Sequence, residues 1–149
     1  MARILFEDFG DAVFCTEMVC APALHPGAHT DNIQLLQLAA AGRARFFAAL
    51  GYTESNVEGV RMFVGDQAVQ YRAEAFPGQP VEVQMAVRDM AGKGFDLVYR
   101  LVARDSGVLI ALGKIGMVSV DPVTRRPCDL PAVFRTRVQS LEPLAVTAV

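Results

Sequence analysis

The chain of 149 residues has no long apolar run, no basic run, no linker, no low-complexity tract and no internal repeat. Each absence removes a class of protein. A membrane-spanning helix needs roughly 18 consecutive apolar residues. The longest candidate, Ile33 to Leu50, is broken by Gln34, Gln37, Arg43 and Arg45 and therefore reads as a buried helix. A net charge of −2 without a basic cluster offers nothing to neutralise a nucleic acid or an anionic lipid surface, so neither is expected as a partner. Cysteine is scarce: Cys15, Cys20 and Cys128 are an odd number without metal-ligand spacing,. Cys15 and Cys20 fall on opposite faces if one strand carries both, and reduced, packed thiols are expected. The first residues, MARILFEDFGD, turn acidic after a few apolar positions and show no signal-like apolar core,. A cytoplasmic location is the expectation.

What is present points to one domain with a sizeable core. Hydrophobic residues make up 52% and charged residues 20%, and the mean hydropathy of +0.30 is high for a chain of this size. A subunit interface would absorb the surplus apolar surface.

The order reads as a strand, a helix and then a series of strands, an α+β arrangement. Residues 11–21 form the expected first strand. Pro22, Pro26 and Gly27 then force a loop that holds both histidines, His25 and His29,. Thr30 or Asp31 is a plausible N-cap for a helix from about Asn32 to Leu50, with Gly51 as its stop. Gln34, Gln37, Ala41 and Arg45 share one polar stripe at steps of three and four. The small run Ala39–Ala40–Ala41–Gly42 implies that a sheet approaches the helix closely.

Beyond the helix, period-two alternation marks the strands. Val60, Met62 and Val64 begin one, and Val69, Tyr71, Ala73 and Ala75 alternate with Gln70, Arg72 and Glu74. FPGQP (76–80) turns the chain. Val81, Val83, Met85 and Val87 alternate with Glu82, Gln84 and Arg88; Phe95, Leu97, Tyr99 and Leu101 alternate with Asp96, Val98, Arg100 and Val102. Val108 to Val120 is apolar on both faces, DPVTRRP (121–127) closes the sheet, and residues 132–149 read as a tail.

This pattern resembles the hotdog fold of the 4-hydroxybenzoyl-CoA thioesterase and YbgC-like acyl-CoA thioesterase group, over about residues 11–131. That family shows an Asp-x-x-Gly-His-Val-Asn-Asn run, then a helix ending near Ala-Arg-x-x-Phe-Leu. His29-Thr30-Asp31-Asn32 stands at His-Val-Asn-Asn; Leu36, Arg43, Phe46-Phe47 and Leu50-Gly51 follow in step. Tyr71 with Phe76-Pro77-Gly78-Gln79, and Val118 to Pro127, are similar to the family's later segments. The resemblance implies one long central helix wrapped by a curved antiparallel sheet of five to six strands. It also implies a homodimer or homotetramer with sheets paired edge to edge, no cofactor, and hydrolysis of an acyl-CoA thioester at the subunit interface.

The departures bear on chemistry. The family's catalytic aspartate lies four residues before the loop histidine, where this chain has His25. Another common acid position holds Ala23, and the Gly before His29 is Ala28. A related branch carries its acid on the helix, but no Asp or Glu occurs between Asn32 and Leu50.

The candidates to fill that vacancy are Asp31, as base or nucleophile, and His25, as a neutral imidazole base. Asp31 is equally explained as a helix cap and His25 as a solvated loop histidine. His29 is expected to orient the loop, and Asn32 to polarise the carbonyl or simply to start the helix. Free N–H groups near Asn32 and Ile33 suit an oxyanion. Tyr71, Arg72, Arg88 and Lys93 are candidate substrate contacts, with Arg100 beside them, although solvent-facing strand charges explain the basic residues equally well. Arg43 is a buried ion-pair member or an interface residue. A metal on His25, His29 and Asp31 is not expected, because Pro26-Gly27 makes the histidine spacing a loop rather than a helix turn. Two other readings stay open. One is an acyl-CoA-binding protein without catalysis. The other is a hotdog dehydratase, which the acid-free helix disfavours.

Overall fold

The computed structural model describes residues 4–149. Its elements run β1 (Phe14–Val19), α1 (Asn32–Ala49), β2 (Arg61–Tyr71), β3 (Pro80–Arg88), β4 (Gly94–Ala103), β5 (Leu109–Val120) and α2 (Ala132–Gln139). The five strands form one sheet in the order β1-β3-β4-β5-β2, every neighbouring pair antiparallel. No helix is long and apolar enough to cross a membrane among the described residues.

Helix α1 begins and ends as its sequence dictates. The Asp31 carboxylate accepts the Ile33 N–H at 2.9 Å, and Gln34 Oε1 accepts the Asp31 N–H at 3.1 Å, completing a capping box,. At the far end Gly51 takes φ +86, a left-handed conformation that glycine adopts without strain,. Gly51 N–H then donates to Ala48 O and Tyr52 N–H to Phe47 O, which satisfies two terminal carbonyls,.

Gly42 is where the sheet comes closest to the helix. A Cβ there would lie 2.6 Å from Val83 Cγ1 and 3.1 Å from Met85 Cε. Val81, Val83 and Met85 of β3, with Phe95, Leu97, Tyr99 and Leu101 of β4, meet Leu35, Leu38, Ala39, Phe46 and Phe47 of α1 in one core. Phe47 stacks on Phe134 with ring centroids 6.1 Å apart, and Phe95 meets Phe134 at 5.5 Å. Such pairs add to the burial energy of the rings themselves.

Four sequence expectations change. Residues 132–149 are not a tail outside the core: α2 buries Phe134 and Val138. Residues 73–75 leave the ladder, because Arg72 and Ala73 both donate to Ile110 O and the strand ends at Tyr71. Gln34 is buried rather than part of an exposed stripe; its amide donates to Pro22 O at 2.7 Å, tying the histidine loop to the helix head. Glu82, Gln84 and Arg100 also face protein instead of solvent. The chain's own ends cover them. Asp8 pairs with Arg100, Phe9 lies 4.5 Å below its guanidinium, and Thr147 donates twice to the Glu82 carboxylate.

Candidate active site

The loop 22–30 and the segment after β2 meet at the head of α1, where the Thr30 N–H donates to Ala75 O at 2.7 Å. Between them lies a cavity of about 410 Å³ lined by His29, Thr30, Asn32, Leu35 and residues 71–75. Leu35, Ala73 and Ala75 supply apolar wall; His29, Asn32, Tyr71, Arg72 and Glu74 supply polar groups. A few convergent polar groups on an apolar wall is the usual build of a small-molecule site.

The polar groups have defined partners. His29 Nδ1 lies 3.0 Å from Thr30 O, so Nδ1 carries the proton when the ring is neutral and Nε2 is left as an acceptor,. Arg72 Nε donates to Gln70 Oε1 at 2.9 Å, and Arg72 Nη2 donates to Phe6 O at 3.3 Å, which holds the guanidinium along the cavity rim. At the head of α1 the Asp31 side chain takes the N–H groups of Ile33 and Gln34. The Asn32 N–H is left without an acceptor among the described residues, at the positive end of the helix dipole,. Thr30 Oγ1 is buried and also lacks an oxygen or nitrogen partner. Its neighbour is the Cys20 thiol, which burial raises above its ordinary range while the Thr30 hydroxyl pulls it partly back.

The nine sequence candidates separate into groups. His29, Asn32, Tyr71 and Arg72 share the cavity wall. Asp31 is spent on the helix cap, and His25 sits in the turn closed by Ala28 N–H to His25 O; neither lines the cavity. Ile33 is exposed beside the helix head without lining it. Arg88 is remote: it donates to Phe9 O and borders a different cavity with Val138 and Leu141. Lys93 lies exposed in the β3–β4 connection. Arg43 pairs with Glu54 as an ion-pair member. The described residues contain no cluster of ligands for a metal.

Glu74 is the residue that sequence reading passed over. It is the only carboxylate on the cavity wall among the described residues. Alternation made it the solvent-facing partner of Ala73 and Ala75 on a strand. Only the departure of residues 73–75 from the ladder turns it to the helix head.

Comparison with known proteins identifies the fold and the family. The family model of the thioesterase-like superfamily matches residues 21–138. Among solved structures, a 1,4-dihydroxy-2-naphthoyl-CoA thioesterase from Synechocystis superposes with a TM-score of 0.76 at 19% identity, covering 86% of this chain and 96% of that one. The protein SAV2348 from Staphylococcus aureus, solved in complex with CoA, gives 0.79 at 17% identity, covering 95% and 92%. The probable thioesterase YbaW from Escherichia coli gives 0.68 at 16% identity, covering 85% and 97%. No curated protein matches the chain. At these identities the structures establish the fold, and with the family match they show that this chain belongs to the thioesterase-like superfamily and has its hotdog fold.

Proposed function

We propose that this protein is an acyl-CoA thioesterase acting in the cavity at the head of α1. One observation carries the reading: a carboxylate (Glu74) and an imidazole with a free acceptor nitrogen (His29) line an apolar cavity beside an unpaired helix N–H. Glu74 takes a proton from water as the water oxygen attacks the thioester carbon. The carbonyl oxygen gains charge opposite the Asn32 N–H, where the helix dipole favours it. The C–S bond then breaks and the thiolate takes the proton from Glu74. His29 holds the water through Nε2, Tyr71 and Leu35 border the acyl group, and Arg72 marks the rim. No cofactor enters these steps. The sequence offered Asp31 or His25 as the base in place of the family's missing acid; Asp31 as a cap and His25 outside the cavity favour Glu74 instead.

The assembly is proposed as a homodimer joined through β2. This strand is a sheet edge eleven residues long, with Phe63 45% and Val64 41% exposed. An edge of that length and character is a template for a second strand. Further dimerisation to a tetramer fits the same family. The free cysteines support a reducing, cytoplasmic setting for a single-domain enzyme,.

A panel of acyl-CoA substrates with a thiol reagent tests the activity. Release of CoA by the wild type, lost in Glu74→Gln and His29→Ala but kept in His25→Ala, is the expected result. Absence of turnover on every thioester by folded protein would sink it. CoA binding without hydrolysis would favour the binding-protein reading, for which the departure from the family's aspartate speaks.

A further inference from the structure

The inner face of the sheet carries a buried phenol that the proposed reaction does not use. Tyr99 of β4 is 2% exposed and stands in one row with Gly113 of β5 and Val69 of β2. Its ring crosses Gly113: a Cβ there would overlap Tyr99 Cζ and lie 2.5 Å from the hydroxyl oxygen. The hydroxyl is therefore carried away from β4 and toward β2. A glycine inside a strand weakens it and commonly marks a close approach. Here the ring fills the space of the missing side chain.

A phenylalanine would fill that space equally well, so the hydroxyl needs its own account. A buried tyrosine hydroxyl ordinarily finds a partner, but this one has none among the described residues. Nor is it sealed. Thr30 Oγ1 is the only wholly enclosed side-chain oxygen or nitrogen without a partner among those residues, so the Tyr99 oxygen keeps a small open surface. Burial pushes the phenol well above its ordinary range, with a further push from Tyr71, and it stays protonated as a donor.

The space it faces adjoins the Glu74 cavity. Helix α1 packs most closely on β1, β3 and β4, which leaves the inner face of β2 open: Gln67 is exposed and Val69 only half-buried. Tyr71, two residues beyond Val69 on the same face, lines the cavity together with Leu35. One strand across and two residues along place the Tyr71 Cα about 8 Å from that of Gly113. An acyl group entering between Tyr71 and Leu35 therefore runs toward the Tyr99 hydroxyl. A plain hydrocarbon end would leave that donor unpaired. A carboxylate end would be buried without a cation, because Arg100 and Lys114 alternate onto the other face of the sheet,. A neutral oxygen meets both conditions.

We propose that Tyr99 determines acyl specificity, its hydroxyl donating to a neutral oxygen (a hydroxyl or a ketone) at the end of the acyl group furthest from the thioester. The proposal rests on the thioesterase reading of the Glu74 cavity and names the class of acyl group it takes.

Tyr99→Phe tests it, since it keeps the ring and removes only the hydroxyl. With no partner to lose, the variant should be at least as stable in urea as the wild type. A clearly lower urea midpoint would reveal a partner within the protein and overturn the proposal. Turnover is compared on pairs of short- and medium-chain acyl-CoA thioesters that differ only in a terminal methyl against a terminal hydroxyl or methyl ketone. Wild-type kcat/KM should favour the oxygenated member of at least one pair by about tenfold or more. In Tyr99→Phe the ratio for that pair should fall to about one, through loss on the oxygenated substrate alone. Preference for the plain member in every pair, or a preference that Tyr99→Phe retains, would refute the assignment.

Calorimetry with the matching CoA thioethers, which cannot be hydrolysed, separates this from the activity. Tighter binding of the oxygenated thioether by the wild type, levelled in Tyr99→Phe, supports the assignment even where no thioester is cleaved. Equal binding of both by the wild type refutes it even where hydrolysis is found. Binding of neither refutes it together with the acyl-CoA reading of the cavity.

Discussion

Substituting Gly42 by alanine sets two opposed effects against each other at one position. Gly42 lies inside α1, where alanine is favoured over glycine by about 1 kcal/mol. A solvent-facing Gly42 would therefore make the variant more stable. The structure forbids this, because the new Cβ would sit 2.6 Å from Val83 Cγ1 and 3.1 Å from Met85 Cε. Met85 can bend its terminal methyl away. Val83 is fully buried and branched at Cβ, so it has no spare rotamer to move into,. Either α1 lifts from β3 or Val83 shifts, and overpacking of this kind costs about 1–3 kcal/mol. The net result is a loss of about 1 kcal/mol, or a fall in Tm of about 2–4 °C for a chain of this length. Urea denaturation of Gly42→Ala, Val83→Ala and the double variant measures it. Val83→Ala alone should cost about 2 kcal/mol. The double variant should be more stable than the sum of the two by about 1 kcal/mol, because the cavity receives the new methyl. Additive losses, or a Gly42→Ala variant more stable than wild type, would refute the close approach of helix and sheet.

Three further outcomes follow from particular contacts. Asp31→Ala should lose about 1 kcal/mol of stability through the cap, with Asp31→Asn near wild type; a turnover loss in Asp31→Asn larger than a few fold would return catalysis to Asp31. Burial pushes the Glu82 carboxyl up, but bonds from the Thr147 hydroxyl, the Gln84 amide and the Thr147 N–H outweigh it and hold it below 4.5. Its stabilisation is therefore complete above the unfolded value and lost as pH falls through the folded one. Glu82→Gln should be less stable than wild type at pH 7 and show a shallower loss of urea midpoint below about pH 4.5; parallel pH curves would contradict this. Burial, then the charge and hydrogen bond of Glu82 and the charge of Glu17, push the Cys15 thiol up to about 12. Native Cys15 should resist iodoacetamide at pH 8 and react faster in Glu82→Gln, as peptide mass mapping would show.

Features set by local chemistry were legible in the sequence. The small run ending at Gly42 announced a close sheet, and Asp31 and Gly51 marked the ends of the helix. Alternation of Val81, Val83 and Met85 named the inner face of β3. Features set by distant segments were not. Arg100, Glu82 and Gln84 have the spacing of solvated strand residues, and only the terminal segments folding across them make them buried. Gln34 sits at a polar-stripe position, but the loop at Pro22 returns to meet it. The candidate site was half legible. His29, Asn32, Tyr71 and Arg72, which the family resemblance proposed, line one cavity in the structure. Glu74 was not legible, because its role depends on where β2 stops pairing with β5.

The central claim is that the cavity between the head of α1 and residues 71–75 hydrolyses a thioester with Glu74 as its base. Single-turnover rates of Glu74→Gln on an acyl-CoA that the wild type cleaves test it most directly. The account predicts a fall in the chemical step of at least about 100-fold, with substrate binding within threefold of wild type. A Glu74→Gln enzyme that turns over at the wild-type rate would contradict it.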